Sequence, residues 1–219
     1  MGCCASCFKS SSNFSSKETE MTETIVPNYS FRISEKMTAP TVSINRLSLT
    51  GSGLALVDVS LEQDACYWEW HVEIPNPNAV NVASDEDDFF SSMSALQFGV
   101  CTKKSQEFYK TLGSQVEDDE LDGDEQMDDG TQLMRPIVNL QHGDVVGIAV
   151  QQNDLPMVQF LLNGEPLHDL AINRFRGKVY PSVLMREGYK IKFVWDENEH
   201  KELSPHVRFG PLIPERGLI

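Results

Sequence analysis

The chain has 219 residues, of which 40% are hydrophobic and 9% aromatic, with five cysteines and a formal net charge of −15 at pH 7. That length supports one substantial core and would crowd two, while the acidic balance without a basic run excludes a phosphate-binding face and hence nucleic acid as a partner. No run of about 18 apolar residues and no apolar segment behind a basic start is present, so neither a transmembrane helix nor a secretory signal is predicted.

The first seven residues, Met1-Gly2-Cys3-Cys4-Ala5-Ser6-Cys7, fit the Gly-x-x-x-Ser/Thr pattern for N-myristoylation once Met1 is removed. One myristoyl chain binds a bilayer only marginally, and Cys3, Cys4 and Cys7 are thiols placed where palmitate can supply the second signal. A polybasic patch cannot supply it, because Lys9 and Lys17 are offset by Glu18 and Glu20. A lipid anchor at Gly2, Cys3, Cys4 and Cys7 on the cytoplasmic face of a membrane is therefore expected. Cys4 and Cys7 also have the spacing of half a zinc site, but no second ligand pair lies nearby. The remaining cysteines, Cys66 and Cys101, are too few for a disulfide framework.

Residues 1–40 read as an acylated flexible tail and 41–219 as one domain. The segment from 8 to about 40 is rich in Ser and Thr, and no apolar period lasts more than one turn. A flexible chain of that length spans about 30 Å, which holds a domain near a bilayer without fixing its orientation. The alternative for Ile25 to Ile33 is a short strand or helix packed back onto the domain.

From Thr41 onward the apolar period becomes two. In Tyr67-Trp-Glu-Trp-His-Val-Glu-Ile74 the even positions are Trp68, Trp70, Val72 and Ile74, and the odd ones are Tyr67, Glu69, His71 and Glu73. This predicts a half-buried strand. On that reading Trp70→Ala costs roughly 3–5 kcal/mol and Glu69→Ala, on the solvent face, within about 0.5 kcal/mol. Cys66 shares the inward phase of Trp68 and is expected to be inert core. The same alternation recurs at Leu96, Phe98 and Val100, at Val158, Phe160 and Leu162, and at Tyr189, Ile191, Phe193 and Trp195. Gly143-Asp144 opens the run Val145 to Val150, and Asn163-Gly164 suits a two-residue hairpin turn. No apolar stripe of helical period reaches twelve residues, so an antiparallel β-sandwich is predicted.

The charge is concentrated in two places. Asp85-Glu86-Asp87-Asp88 supplies −4 and Glu117 to Asp129 supplies −9, leaving −2 for everything else. The second run lies in an insert at about 103–131. Counted from Asp118, residues Asp118, Glu120, Asp122, Asp124 and Asp129 fall at positions 1, 3, 5, 7 and 12 of a twelve-residue calcium loop, with Gly123 at position 6. Glu at position 3, charged Glu125 at position 8, the short Asp129 at position 12 and the lack of flanking amphipathic helices depart from that pattern. A solvated acidic loop is expected, with weak cation attraction and a calcium-responsive acylated protein as the alternative.

The succession Cys66-Tyr-Trp-Glu-Trp-His-Val-Glu-Ile74, Gln97-Phe-Gly-Val-Cys101, Gly143-Asp-Val-Val-Gly-Ile-Ala149, Val158-Gln-Phe-Leu-Leu-Asn-Gly-Glu165 and Val179-Tyr-Pro-Ser-Val183 resembles the ordered signature of a SPRY domain, covering about Thr41 to Arg208. The cysteine cluster and Arg176-Gly-Lys-Val-Tyr-Pro181 are similar to the small family of SPRY domain-containing protein 7, from which the acidic inserts and the Gly2 start depart. The resemblance implies a bent β-sandwich, no catalytic activity, no cofactor, and loops at one end that bind a protein or peptide. It points to the loop Leu184-Met185-Arg186-Glu187-Gly188, with Met185, Arg186 and Glu187 as the candidate contacts. Peptide-binding relatives often carry a tryptophan in that loop and this chain has none.

Enzymatic motifs are missing: no Gly-x-Ser-x-Gly, no phosphate loop, no His-Glu-x-x-His and no Gly-x-Gly-x-x-Gly after a strand occurs. The five histidines are scattered, with His71 on the polar face of a strand and His142, His168, His200 and His206 in loop-like sequence. The function expected is that of a membrane-tethered, monomeric, non-enzymatic interaction module.

Overall fold

The computed structural model describes residues 31–76, 95–102, 132–153 and 155–213, and thirteen strands run through them in two sheets. They are β1 (Val42–Asn45), β2 (Ser48–Gly51), β3 (Gly53–Leu56), β4 (Ala65–Glu73), β5 (Leu96–Thr102), β6 (Gln132–Ile137) and β7 (Val145–Gln151), followed by β8 (Met157–Leu162), β9 (Glu165–Pro166), β10 (Ile172–Asn173), β11 (Val179–Met185), β12 (Lys190–Val194) and β13 (Gly210–Pro211). The larger sheet has the order β1-β2-β12-β4-β7-β8-β10, with β9 added to β8 and β13 to β4, and the smaller one β3-β11-β5-β6. Every pairing is antiparallel except the short one between β13 and β4.

The two-residue period decides how the sheets meet. Cys66, Trp68, Trp70 and Val72 project from one face of β4 and, with Ile148, Phe160, Ile191 and Phe193 of the same sheet, pack against Phe98, Val100, Val183 and Met185 of the smaller sheet in one cluster. Each such side chain stabilises the fold by roughly 1.5–3 kcal/mol of apolar burial. The strand β7 is buried at all seven positions, so its neighbours cover both of its faces. Between β2 and β3 the chain changes sheet through Gly51-Ser52-Gly53, where both glycines hold positive φ of 98° and 121°. A Cβ at Gly51 would strike the Thr41 carbonyl, so only glycine fits there. Asn163-Gly164 forms the expected hairpin turn, with φ of 50° and 81°, between Leu162 and Glu165.

Two expectations need correction. The boundary at 40/41 cuts through packed chain: Phe31 and Ile33 are 3% and 5% exposed, and Ile33 bridges Val57 beside the smaller sheet. Phe31 stacks edge-on to Phe193 at 6.1 Å and lies 5.0 Å from Trp195, and Met37 covers the outer face of the smaller sheet beside Leu54, Leu56, Cys101 and Met134. Of the alternative in which Ile25 to Ile33 packs back onto the domain, Phe31 and Ile33 are so placed, and residues 25–30 lie outside the described residues. Accordingly, Ile33→Val is expected to cost about 1 kcal/mol in urea unfolding, whereas a residue in a free tail would show no effect.

The second correction concerns the outer face of β4. Tyr67 is 1% and Glu69 0% exposed, although the alternation assigns both to solvent. After β12 the chain turns back over this face, through a one-turn 3-10 helix at Glu197–Glu199, as a strap ending in β13. Phe209 of the strap packs with Tyr67, Ala149 and Leu161 in a separate small cluster. Gly147 leaves the room that Tyr67 needs, since a Cβ there would stand 2.8 Å from its ring.

Candidate functional site

The loop singled out from sequence joins β11 of the smaller sheet to β12 of the larger. Val179, Pro181, Val183 and Met185 share one phase of β11, and Met185 pairs with Gly53 as the strand's last residue. It is 0% exposed, so Met185 belongs to the core and cannot be a contact. Leu184, on the opposite phase, is buried in the cluster behind the smaller sheet. Arg186 is half-buried and Glu187 exposed, and Gly188 turns the chain at φ 86° towards Tyr189 and Lys190. Burial lowers the Arg186 pKa from its ordinary value without discharging the guanidinium. Met185→Ala is therefore expected to cost about 2 kcal/mol or more, while Glu187→Ala changes stability by within about 0.5 kcal/mol, both read from denaturant midpoints.

Neighbouring turns at this end are held by polar contacts. Lys190 lies across from Glu73 and donates to it at 2.7 Å, which holds the Glu73 carboxyl below its ordinary pKa. The Ile74 amide donates to His142 Nδ1 at 3.0 Å. Asp144 accepts from the Gln141 amide at 2.7 Å and from Asn163 Nδ2 at 3.0 Å, while Asn163 Oδ1 accepts from the Val145 amide. The loops are thus positioned by hydrogen bonds, and Glu187 is free to face a partner.

A second constellation was not legible in the sequence. The Glu69 carboxylate, buried beneath the strap, accepts from the Glu202 amide at 2.8 Å and from Tyr67 at 3.3 Å through Oε1, and from the Lys201 amide at 2.9 Å through Oε2. His71 Nε2 lies 2.6 Å from the same Oε2. Burial alone would raise the Glu69 pKa, but the bonds from His71 and the two amides outweigh it and hold the carboxyl below its ordinary value. Tyr67, buried beside this charge, has its pKa raised by burial first and by Glu69 second.

Burial pushes the Cys66 and Cys101 thiols up to about 12, so neither supplies a thiolate near neutral pH. His71 is engaged with Glu69, His142 with Ile74, and the ring of His206 with the Arg208 amide. Three metal-ligating side chains nowhere cluster among the described residues, and no helix there is long and apolar enough to cross a membrane. The acylation residues Gly2, Cys3, Cys4 and Cys7 and the calcium candidates Asp118, Glu120, Asp122, Asp124 and Asp129 lie outside the described residues.

No family model and no curated protein matches the chain. Among solved structures it is similar to the NHR1 domain of Drosophila melanogaster Neuralized, with 9% identity and a TM-score of 0.49 over 75% of this chain and 97% of that one. It is also similar to the SPRY domain of human HERC1, with 15% identity and a TM-score of 0.44 over 76% and 99%, and to the TRIM65 PSpry domain, with 11% identity and a TM-score of 0.44 over 76% and 90%.

Proposed function

We propose that the chain is a membrane-tethered interaction module, an adaptor or scaffold that takes a protein or peptide through the loop between β11 and β12. The observation that carries this reading is the loop itself, in which Arg186 is half-buried at the end of a core strand and Glu187 is exposed beside it. A planar guanidinium held at the base of a loop loses little freedom on binding and matches a carboxylate or backbone carbonyl of a ligand. The ordered motifs from Cys66 to Val183 resemble those of SPRY domains, which supports a non-enzymatic binding role, as does the burial of both body cysteines. The tether rests on Gly2 and on Cys3, Cys4 and Cys7 as acyl acceptors.

Affinity purification of the wild type beside an Arg186→Ala, Glu187→Ala variant, with partners identified by mass spectrometry, tests the loop. A partner retained by the wild type and lost from the variant is expected, with at least about tenfold weaker binding, and equal recovery on both would overturn the assignment. For the tether, Gly2→Ala is expected to move the protein into the soluble fraction. A wild type that is wholly soluble in its native cell with an unmodified Gly2 removes the membrane from the proposal.

A further inference from the structure

We propose that the strap from Asp196 to Ile213 is a pH-sensitive latch over the outer face of the larger sheet, opened when His200 takes up a proton. The strap is attached at few points. Its far end is held by Gln63, which donates to the Pro211 carbonyl at 2.9 Å and accepts from the Ile213 amide at 2.8 Å. Its near end is held by Lys192, which donates to Glu199 at 2.6 Å on the surface. Between them the strap is held by the short pairing of β13 with Cys66 and Tyr67 of β4, by a hydrogen bond between His200 and the Val194 backbone, and by Glu69, which takes the Lys201 and Glu202 amides.

His200 sits directly before those two amides. Its ring meets Tyr67 edge-on at 5.2 Å, and its Nε2 is buried with no hydrogen-bond partner among the described residues. A neutral imidazole tolerates that place, whereas a proton on Nε2 would be a buried donor with nothing to receive it. The surroundings contain both signs of charge. From β4, Glu69 favours the charged ring and His71 opposes it; Tyr67 contributes a neutral hydroxyl; from the strap, Glu197 favours it. Lys192 of β12 is paired with Glu199, while Lys201 and Glu202 point their amides at Glu69, and β7 presents Val145, Gly147 and Ala149, none of which titrates. A backbone hydrogen bond with Val194 also favours the charged form, yet burial prevails and the His200 pKa lies below its ordinary 6.5. A group whose pKa falls on folding withholds a proton that the released strap would bind, so attachment is full above about pH 6.5 and weakens as the pH falls below it. Opening bares Tyr67, Ala149, Leu161 and Phe209, an apolar face that the closed strap hides.

Hydrogen exchange of the Lys201 and Glu202 amides in the full chain, corrected for intrinsic rates, tests the latch at about pH 7.5 and about pH 5.5, the range in which histidine titrates. Protection in the wild type is expected to fall between the two pH values by up to about tenfold, because pH 5.5 lies about one unit below the ordinary histidine value. His200→Phe keeps the ring against Tyr67 and removes the titration, so its protection is expected to be independent of pH. His71→Gln keeps a donor to Glu69 and should retain the wild-type dependence. A wild type whose protection does not change, or a dependence abolished by His71→Gln and not by His200→Phe, overturns the proposal. Should His200→Phe fail to fold, the ring signals of His200 in the wild type decide: their titration midpoint is expected to coincide with the loss of amide protection, and a separate midpoint sinks the latch.

Discussion

Trp70→Ala is expected to destabilise the domain by roughly 3–5 kcal/mol, the usual penalty for emptying a buried aromatic site. Trp70 has no exposed surface and lies in register between Val146 of β7 and Phe193 of β12. Its ring is 4.8 Å from that of Phe193, which in turn meets Phe31, so the cavity would open beneath three strands and the incoming chain at once. Strands cannot shift independently to fill such a space, because each is fixed by ladder hydrogen bonds on both sides. The indole Nε1 is buried without a hydrogen-bond partner among the described residues. No hydrogen bond is therefore lost in Trp70→Phe, and that variant is expected to cost roughly half as much. Urea unfolding of the two variants, at an unchanged denaturant slope, measures the difference. Equal costs for Ala and Phe would show that the site collapses around the smaller side chain, contrary to the packing described.

What the sequence discloses depends on the range of the interaction. The inward phase of β4 is written in four alternate residues, Cys66 to Val72, and the turn at Asn163-Gly164 in two adjacent ones, so local pattern suffices for both. The run Val145 to Val150 announces a strand but not that both its faces are covered. Met185 is an instructive miss. The phase of Val179, Pro181 and Val183 extends to it, and treating the stretch after Val183 as a loop discards that signal. Phe31 and Ile33 carry the same spacing of two, but they stand in polar surroundings whose composition outweighs them. Of the candidate contacts, Arg186 and Glu187 remain at the loop, one half-buried and one exposed. The burial of Glu69 has no local trace at all, because the groups that cover it come from residues about 130 positions further along the chain.

Glu69→Ala is expected to cost roughly 3 kcal/mol or more, many times the surface value that its place in the alternation suggests. The substitution removes the acceptor for two backbone N–H groups, at Lys201 and Glu202, and for the His71 ring, within a region that Tyr67 and Phe209 close to water. Each orphaned buried donor carries a desolvation penalty of about 1–3 kcal/mol, which the strap escapes only by lifting from the sheet. Lifting would uncover Tyr67, so neither response is cheap. Glu69→Gln keeps the shape and one acceptor oxygen but turns the other into a donor facing a donor, and its cost is expected to fall between those of the wild type and Ala. The dependence on pH follows from the lowered carboxyl pKa. The charge of Glu69 stabilises the fold fully above its ordinary value of 4.5, and that contribution is lost as the pH falls through the lower folded value. The gap between wild type and Glu69→Ala is thus wide at pH 7 and narrows as the pH falls below 4.5. Urea midpoints for the three proteins at neutral and acidic pH read this directly. A Glu69→Ala chain as stable as the wild type at pH 7 would return the residue to the solvent face and leave the strap without its central anchor.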